Sequence, residues 1–247
     1  MGENVLEIKN LTKDFPSVRA VNDVSFNIRR NTVHCLVGEN GAGKSTLIKI
    51  LTGALQRTDG QILLNGEEYS VHSPKDAKQR GISTLFQELN VVDQLTVEQN
   101  LTLGMEDTFF GFLKKTDKIK KMVGVLNNLE PHIKPEQLVS RLSVAQKQIV
   151  EIAKAVASES DIIIMDEPTA ALTEGEIERL FKIIEKLKQN DVTVIYISHR
   201  LDEIFEIGDY VTVMRDGKHI DTKPVAEVRE RAELIRMMIG KTVFEVY

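Results

Sequence analysis

At 247 residues, 42% apolar and 28% charged, the chain is long enough for one large α/β domain, or a core with an insert, and its mixed composition excludes long disordered stretches. A net charge of −5, with basic pairs such as Arg29-Arg30 and Lys120-Lys121 dispersed, leaves no footprint for duplex nucleic acid, and a lone cysteine, Cys35, excludes an internal disulfide. No apolar run approaches the roughly 18 residues of a membrane span, and the first residues lack the apolar stretch of a signal peptide. Met1-Gly2 opens like a myristoylation signal, but Leu6 stands where that signal needs Ser or Thr. Work at a membrane would require other subunits to hold the chain there.

Val5 to Ile8 and Val24 to Ile28 alternate apolar and polar residues and predict two strands of a small antiparallel sheet, with Phe15 in the loop between them. A lone aromatic there either packs or offers a stacking surface to a nucleotide base bound nearby. The next stretch supplies such a need. An apolar run, Val33 to Val37, leads into Gly38-Glu39-Asn40-Gly41-Ala42-Gly43-Lys44-Ser45-Thr46 and then into an apolar-periodic helix, Leu47 to Leu55. The pattern G-x-x-x-x-G-K-[ST] is that of a phosphate-binding loop. Its glycines let successive amides point inward, the helix dipole favours an anion, Lys44 adds a mobile positive charge, and the Ser45 hydroxyl suits Mg2+. A plain turn between strand and helix needs neither the lysine nor the hydroxyls. Cys35, in the preceding strand, reads as a small buried hydrophobe.

Asp59-Gly60 predicts a turn into a strand over Gln61 to Leu64, and Asn65-Gly66 a hairpin that extends the antiparallel sheet. Pro74 to Arg80 reads as a short helix and Ile82 to Phe86 as a buried strand ending at Gln87. That glutamine is either polar punctuation or a contact to Mg2+ or the attacking water. From Leu89 to about Ser158 the pattern turns helical, with Val97 to Leu103, then Asp117 to Leu129, whose Ile119, Met122, Val123 and Leu126 share one face. This predicts a helical subdomain inserted into the α/β core. Phe109, Phe110 and Phe112 between its helices are core or a docking surface. Leu142-Ser143-Val144-Ala145-Gln146 opens a helix to about Ala157; Ser143 and Gln146 match a capping box, and the same helix start with a serine hydroxyl is also an anion site.

Asp161-Ile162-Ile163-Ile164-Met165-Asp166-Glu167-Pro168 is an apolar run ending in two carboxylates, as in a central parallel strand buried on both faces. At the carboxyl end of such a strand they face the ligand crevice, with Asp166 placed to hold Mg2+ and Glu167 to act as base for the attacking water. Capping the helix begun by Thr173 and Glu176 is the plainer role, but it accounts for neither their adjacency nor the isoleucine run. Val192 to Ile197 predicts another buried strand, ending at Ser198-His199-Arg200, where His199 can hydrogen-bond a γ-phosphate. Val211 to Met214 and Lys218 to Asp221 flank an Asp216-Gly217 hairpin, and Ala232 to Met238 closes with a helix.

In this order and spacing, the set resembles the ATP-binding subunits of ABC transporters over essentially the whole chain. The resemblance implies an α/β fold: a P-loop NTPase core of mainly parallel sheet with flanking helices, residues 1–88 and 159–247, plus an antiparallel β subdomain and a helical subdomain at about 89–158. It makes Gly38 to Thr46 the Walker A motif, Gln87 the Q-loop, Asp166 the Walker B aspartate, Glu167 the catalytic glutamate and His199 the switch histidine. Phe15 would stack on adenine, Ser143 would reach the ATP of a partner domain, and Mg2+ would take Ser45, Gln87 and Asp166. Two departures stand out. Val144 and Ala145 replace the two glycines of the usual Leu-Ser-Gly-Gly-Gln signature, and Ala171-Leu172-Thr173 lacks the aspartate that many relatives carry after Ala-Leu.

The stretches LSVAQKQIVEIAKA from Leu142, SHRLDEIFEIGD from Ser198 and Met237-Met238-Ile239-Gly240-Lys241 look like the first half of the tandem ATPases that power bacterial monosaccharide import, such as ribose, xylose or galactose importers. That likeness implies the N-terminal nucleotide-binding half of a longer tandem protein, at the cytoplasmic face of the bacterial plasma membrane. Its expected partners are a second nucleotide-binding domain (the tandem half or another copy), transmembrane permease subunits and, indirectly, a periplasmic or extracellular sugar-binding protein, with no nucleic acid. The competing readings are a nucleoside importer ATPase, a soluble ABC ATPase acting on DNA, ribosomes or iron-sulfur assembly, and a regulatory nucleotide-binding module with little hydrolysis.

Overall fold

A computed structural model describes residues 3–85, 90–103, 112–157, 160–170 and 172–240, the side chains of 112–118 and 121 excepted. The elements run β1 (Asn4–Phe15), β2 (Val18–Arg29), β3 (Val33–Val37), α1 (Lys44–Leu51), β4 (Asp59–Leu64), β5 (Glu67–Glu68), α2 (Pro74–Gln79), β6 (Ile82–Leu85), α3 (Val97–Thr102), α4 (Phe112–Leu129), α5 (Val144–Ala157), β7 (Ile162–Asp166), α6 (Glu174–Gln189), β8 (Thr193–Ile197), α7 (Leu201–Ile207), β9 (Tyr210–Arg215), β10 (Lys218–Pro224) and α8 (Arg231–Ile239).

Two sheets result. One is antiparallel, in the order β2-β1-β4-β5; the other has the order β10-β9-β3-β8-β7-β6. In the second, β9, β3, β8, β7 and β6 are parallel and β10 turns back antiparallel at the edge. Its central strands are buried and mostly apolar, broken by His34 in β3 and Thr193 at the start of β8, because each face meets a separate core. Ile163 and Met165 of β7 and Val194 and Tyr196 of β8 point into the core shared with α5 and α6, while Ile162, Ile164, Ile195 and Ile197 point into the core shared with α1 and the antiparallel sheet. Truncating any of these to alanine costs about 2–5 kcal/mol, since the cavity cannot collapse between two packed layers.

The helices begin where the sequence supplies caps. Ser73 accepts from the Asp76 amide, and Thr96 with Gln99 and Thr173 with Glu176 form capping boxes. In α4 the shared face predicted for Ile119 to Leu126 is the buried one, with Met122 and Leu126 in the core. Both predicted hairpins close at Asn65-Gly66 and Asp216-Gly217.

Five local expectations change. The strands around Phe15 are longer than the alternation indicates, so Phe15 ends β1 and pairs with Val18 across a tight hairpin instead of lying in a loop. Asp59-Gly60 is not a turn but the start of β4; there the bulge in β1 brings the Asn10 carbonyl oxygen to 2.4 Å from where a Gly60 side chain would begin, which admits only glycine. The helix after the phosphate loop starts at Lys44, three residues earlier than the apolar periodicity, and ends at Leu51. An additional short helix, α7, follows His199. The second helix of the subdomain, α4, starts at Phe112, five residues before the predicted Asp117, so Phe112 does not lie between helices; Phe109 and Phe110 lie outside the described residues.

Candidate functional site: a phosphate loop facing two strand-end carboxylates

The loop after β3 is built by close packing. Gly43 takes φ 98° at the start of α1, and a side chain there would begin 2.5 Å from the Ala20 carbonyl oxygen of β2. Backbone bonds join the same pieces: Gly217 N donates to Ala42 O at 3.2 Å and Asn22 N to Gly217 O at 2.7 Å. The loop is thus clamped between the antiparallel sheet and the β9–β10 hairpin. Lys44 Nζ folds back and donates to Gly38 O at 2.6 Å and Glu39 O at 3.0 Å. Burial lowers the Lys44 pKa, and the charges of Glu167 and Asp166 oppose that shift.

These carboxylates arrive from β7, two places along the sheet from β3, with β8 between. Asp166 ends β7 opposite Ile197, the last residue of β8. Glu167 follows at φ 49°, a left-handed conformation that a glutamate seldom adopts, with its amide donating to Ile197 O at 2.9 Å. Burial raises the Asp166 pKa, the Glu167 charge adds to the rise, and Lys44 opposes it. His199, just past β8, sets Nδ1 3.2 Å from Glu167 Oε1. Strand order has therefore brought Lys44, Asp166, Glu167 and His199 to the carboxyl ends of three adjacent strands.

Between them lies a cleft of about 680 Å³, lined by residues 40–46 of the loop, by Asp166 and Glu167, by Val18 to Ala20 and by Asp216 and Gly217. Ser45 and Thr46 are on that lining. Phe15 is not, although it is exposed beside Val18, which is, and the Lys13 ammonium stands 5.3 Å from the centre of its ring. Val18 to Ala20 carry no motif and went unread in the sequence, and Asp216-Gly217 was read there as a hairpin but not as part of the site. Gln87 lies outside the described residues. A smaller cavity of about 210 Å³, where α2 and β6 meet α5, holds Lys78, Glu151 and Lys154 but no phosphate loop.

Ser143 stands apart from the cleft, at the start of α5. Its amide donates to Gln146 Oε1 at 3.0 Å and its hydroxyl accepts from the Gln146 amide at 3.3 Å, the reciprocal capping box. Of the two residues that replace the signature glycines, Ala145 is buried within the subdomain and only Val144 presents its side chain to the surface. Further along α5, Gln148 Nε2 donates to Pro168 O at 2.6 Å, tying this helix to the turn after Glu167.

A glycine loop between a buried parallel strand and a helix, faced by carboxylates two strands away, defines a P-loop nucleotide-binding fold. The chain belongs to the ABC transporter family, whose sequence pattern residues 21–170 match. A putative ribose/galactose/methyl galactoside import ATP-binding protein of Geobacillus kaustophilus is 47% identical over 98% of this chain and 48% of its own length. A ribose import ATP-binding protein of Rubrobacter xylanophilus is 44% identical over 99% of this chain and 49% of its own. The chain spans about half the length of the curated relatives it matches. Among solved structures, the ADP conformation of an ATP-binding cassette of an ABC transporter superposes with a TM-score of 0.84 at 26% identity, covering 97% of this chain and all of that one.

Proposed function

We propose that the chain is a nucleotide-binding domain that hydrolyses ATP to power import of a monosaccharide. The observation that carries this reading is the single cleft where the phosphate loop and Lys44 face Asp166 and Glu167. In it the loop amides and Lys44 hold the β- and γ-phosphates, and Phe15, at the hairpin beside the cleft, offers its exposed ring to the adenine. Water attacks the γ-phosphorus while the bond to the β-phosphate oxygen breaks and ADP leaves; Glu167 takes the water proton and His199 steadies the γ-phosphate.

Ser45, Gln87 and Asp166 would hold Mg2+, which supplies charge neutralisation at the phosphates. Among the described residues no cluster of three His, Cys, Asp or Glu could hold a metal alone. Ser45 and Asp166 both line the cleft, which suits an ion bound through one carboxylate, a hydroxyl and the substrate's own phosphates.

Both relatives above are named as sugar importers, and both are about twice as long as the stretch they share with this chain. We therefore read residues 1–247 as the first half of a tandem protein, with core 1–88 and 159–247 and helical subdomain about 89–158. The other half or a second copy completes each ATP site through Ser143, permease subunits hold the assembly at the cytoplasmic face of the membrane, and an external binding protein delivers the sugar. Among the described residues no helix is long and apolar enough to cross a membrane.

The test is ATP hydrolysis by the chain alone and after addition of the second half and permease, with Glu167→Gln as the blank. Hydrolysis that rises on assembly and vanishes in Glu167→Gln is the expected result. Wild-type rates in assembled Glu167→Gln would overturn the assignment of Glu167.

A further inference from the structure

Behind the cleft, Glu203 of α7 is only 3% exposed, and a carboxylate so enclosed needs partners. Its Oε2 accepts from the Tyr196 hydroxyl at 2.8 Å and from the Ser198 hydroxyl at 2.7 Å. Its Oε1 has no donor of hydrogen-bond geometry, only the Arg200 guanidinium, with Nη1 3.0 Å away. The connections continue. Ser198 Oγ accepts from the Arg200 amide at 3.0 Å, so the backbone of His199 is bracketed by one hydroxyl. The same Glu203 oxygen thus joins Tyr196, within β8, to Ser198, just past its end. Burial and the Glu203 charge push the Tyr196 hydroxyl up, which keeps it a donor.

None of Tyr196, Ser198 or Glu203 lines the cleft, so nucleotide binding does not explain the network. Nor does packing. An apolar residue would seat α7 on the sheet without desolvating a charge, and what the carboxylate adds is directional hold on the end of β8 and the loop beyond it. That loop carries His199.

We propose that Glu203 is a positioning residue: anchored to β8 by Tyr196, it fixes the His199 loop through Ser198, and so it sets the 3.2 Å contact between His199 and Glu167 from behind. Its effect on rate rests on the ATP-hydrolysis reading, whereas its effect on the position of His199 does not.

The test uses the whole 247-residue chain carrying Glu203→Gln, Ser198→Ala or Tyr196→Phe, with two readouts: imidazole nitrogen resonances of His199, assigned with His199→Gln, and steady-state ATP hydrolysis. The expected result for Glu203→Gln and Ser198→Ala is a shift of the His199 resonances alone among the five histidines, with kcat lower by about 10- to 100-fold and KM unchanged, as misplacement predicts. Tyr196→Phe keeps its ring against Phe181 and loses only the hydroxyl; it should shift His199 less, and it keeps the test open if the other variants fail to fold. Unmoved His199 resonances in the folded variants would overturn the proposal whatever the rate does. Parallel losses in kcat, affinity and melting temperature would also overturn it, by making Glu203 a stability residue. A wild-type chain that hydrolyses no ATP even after assembly with the second half and permease would sink the functional reading, and the resonances would still judge Glu203.

Discussion

His199 Nδ1 meets Glu167 Oε1 at 3.2 Å across the ends of β8 and β7, and Glu167 reaches that contact from a left-handed backbone at φ 49°. Holding a side-chain-bearing residue there costs about 1–3 kcal/mol. The strain sits at a carboxylate that lines the cleft, which suits the base role proposed for it. Glu167→Gly should therefore be more stable than Glu167→Ala by about 1 kcal/mol, the reverse of the ordinary order, while neither hydrolyses ATP. Urea denaturation of the two variants measures the difference. Alanine equal to or better than glycine would mean that position 167 is unstrained.

Lys44 spends its hydrogen bonds on two carbonyls of its own loop, those of Gly38 and Glu39. The ammonium is consequently held against the loop, on the lining of the cleft, so little side-chain freedom is left to lose on binding an anion there. Lys44→Ala should weaken ATP affinity by roughly 10- to 100-fold, the equivalent of about 1.5–3 kcal/mol for a charged hydrogen bond. Calorimetric titration with ATP in excess Mg2+ measures it. An affinity within error of wild type would remove Lys44 from the site.

Two loop glycines with similar backbones face different surroundings. A side chain on Gly43, at φ 98°, would collide with the Ala20 carbonyl oxygen, whereas one on Gly41, at φ 85°, would meet nothing within 4 Å. Gly43→Ala should therefore lower the melting temperature of the nucleotide-free chain well beyond Gly41→Ala, because it adds a steric clash to the conformational strain. Gly41→Ala should instead damage phosphate binding, its methyl entering the open side of the loop. Equal melting temperatures for the pair would refute the clamp between β2 and the loop.

The parts of this site that were legible in the sequence are those encoded locally. Residues 38–46 carry their own turn and helix chemistry, the Ile162 to Met165 run announces a strand buried on both faces, and Ser143-Gln146 writes its cap within four residues. What the sequence hid is non-local or weakly signalled. That β8 lies between β3 and β7, and so delivers His199 to Glu167, is a fact of strand order. Ala20 and Gly217 reach the loop only through pairings made by distant segments. The helix α7 has seven residues and no side-chain cap, so only the spacing of Leu201, Ile204 and Phe205 marked it, and Glu203 on it looked like any exposed acid.

A second buried ionisable group bears on pH rather than on catalysis. His34 of β3 is enclosed between the rings of Phe26 and Tyr210, at 5.8 Å and 6.4 Å, with Nε2 2.7 Å from Thr212 Oγ1 and Nδ1 unpartnered. Burial, assisted by the charge of His219, lowers its pKa from 6.5 to about 3. Above pH 6.5 both folded and unfolded chains hold this ring neutral, and it contributes no pH dependence. Below 6.5 the unfolded chain takes a proton that the folded chain refuses, so stability falls with pH by about 1.4 kcal/mol per unit until the ring protonates in place near 3. His34→Leu removes that proton uptake. Between about pH 7.5 and 5.5, the unfolding free energy from urea titration should fall by about 1.4 kcal/mol more in wild type than in His34→Leu. Equal losses in the two chains would mean that His34 accepts a proton inside the fold, and that its enclosure is less complete than the stacking of Phe26 and Tyr210 implies.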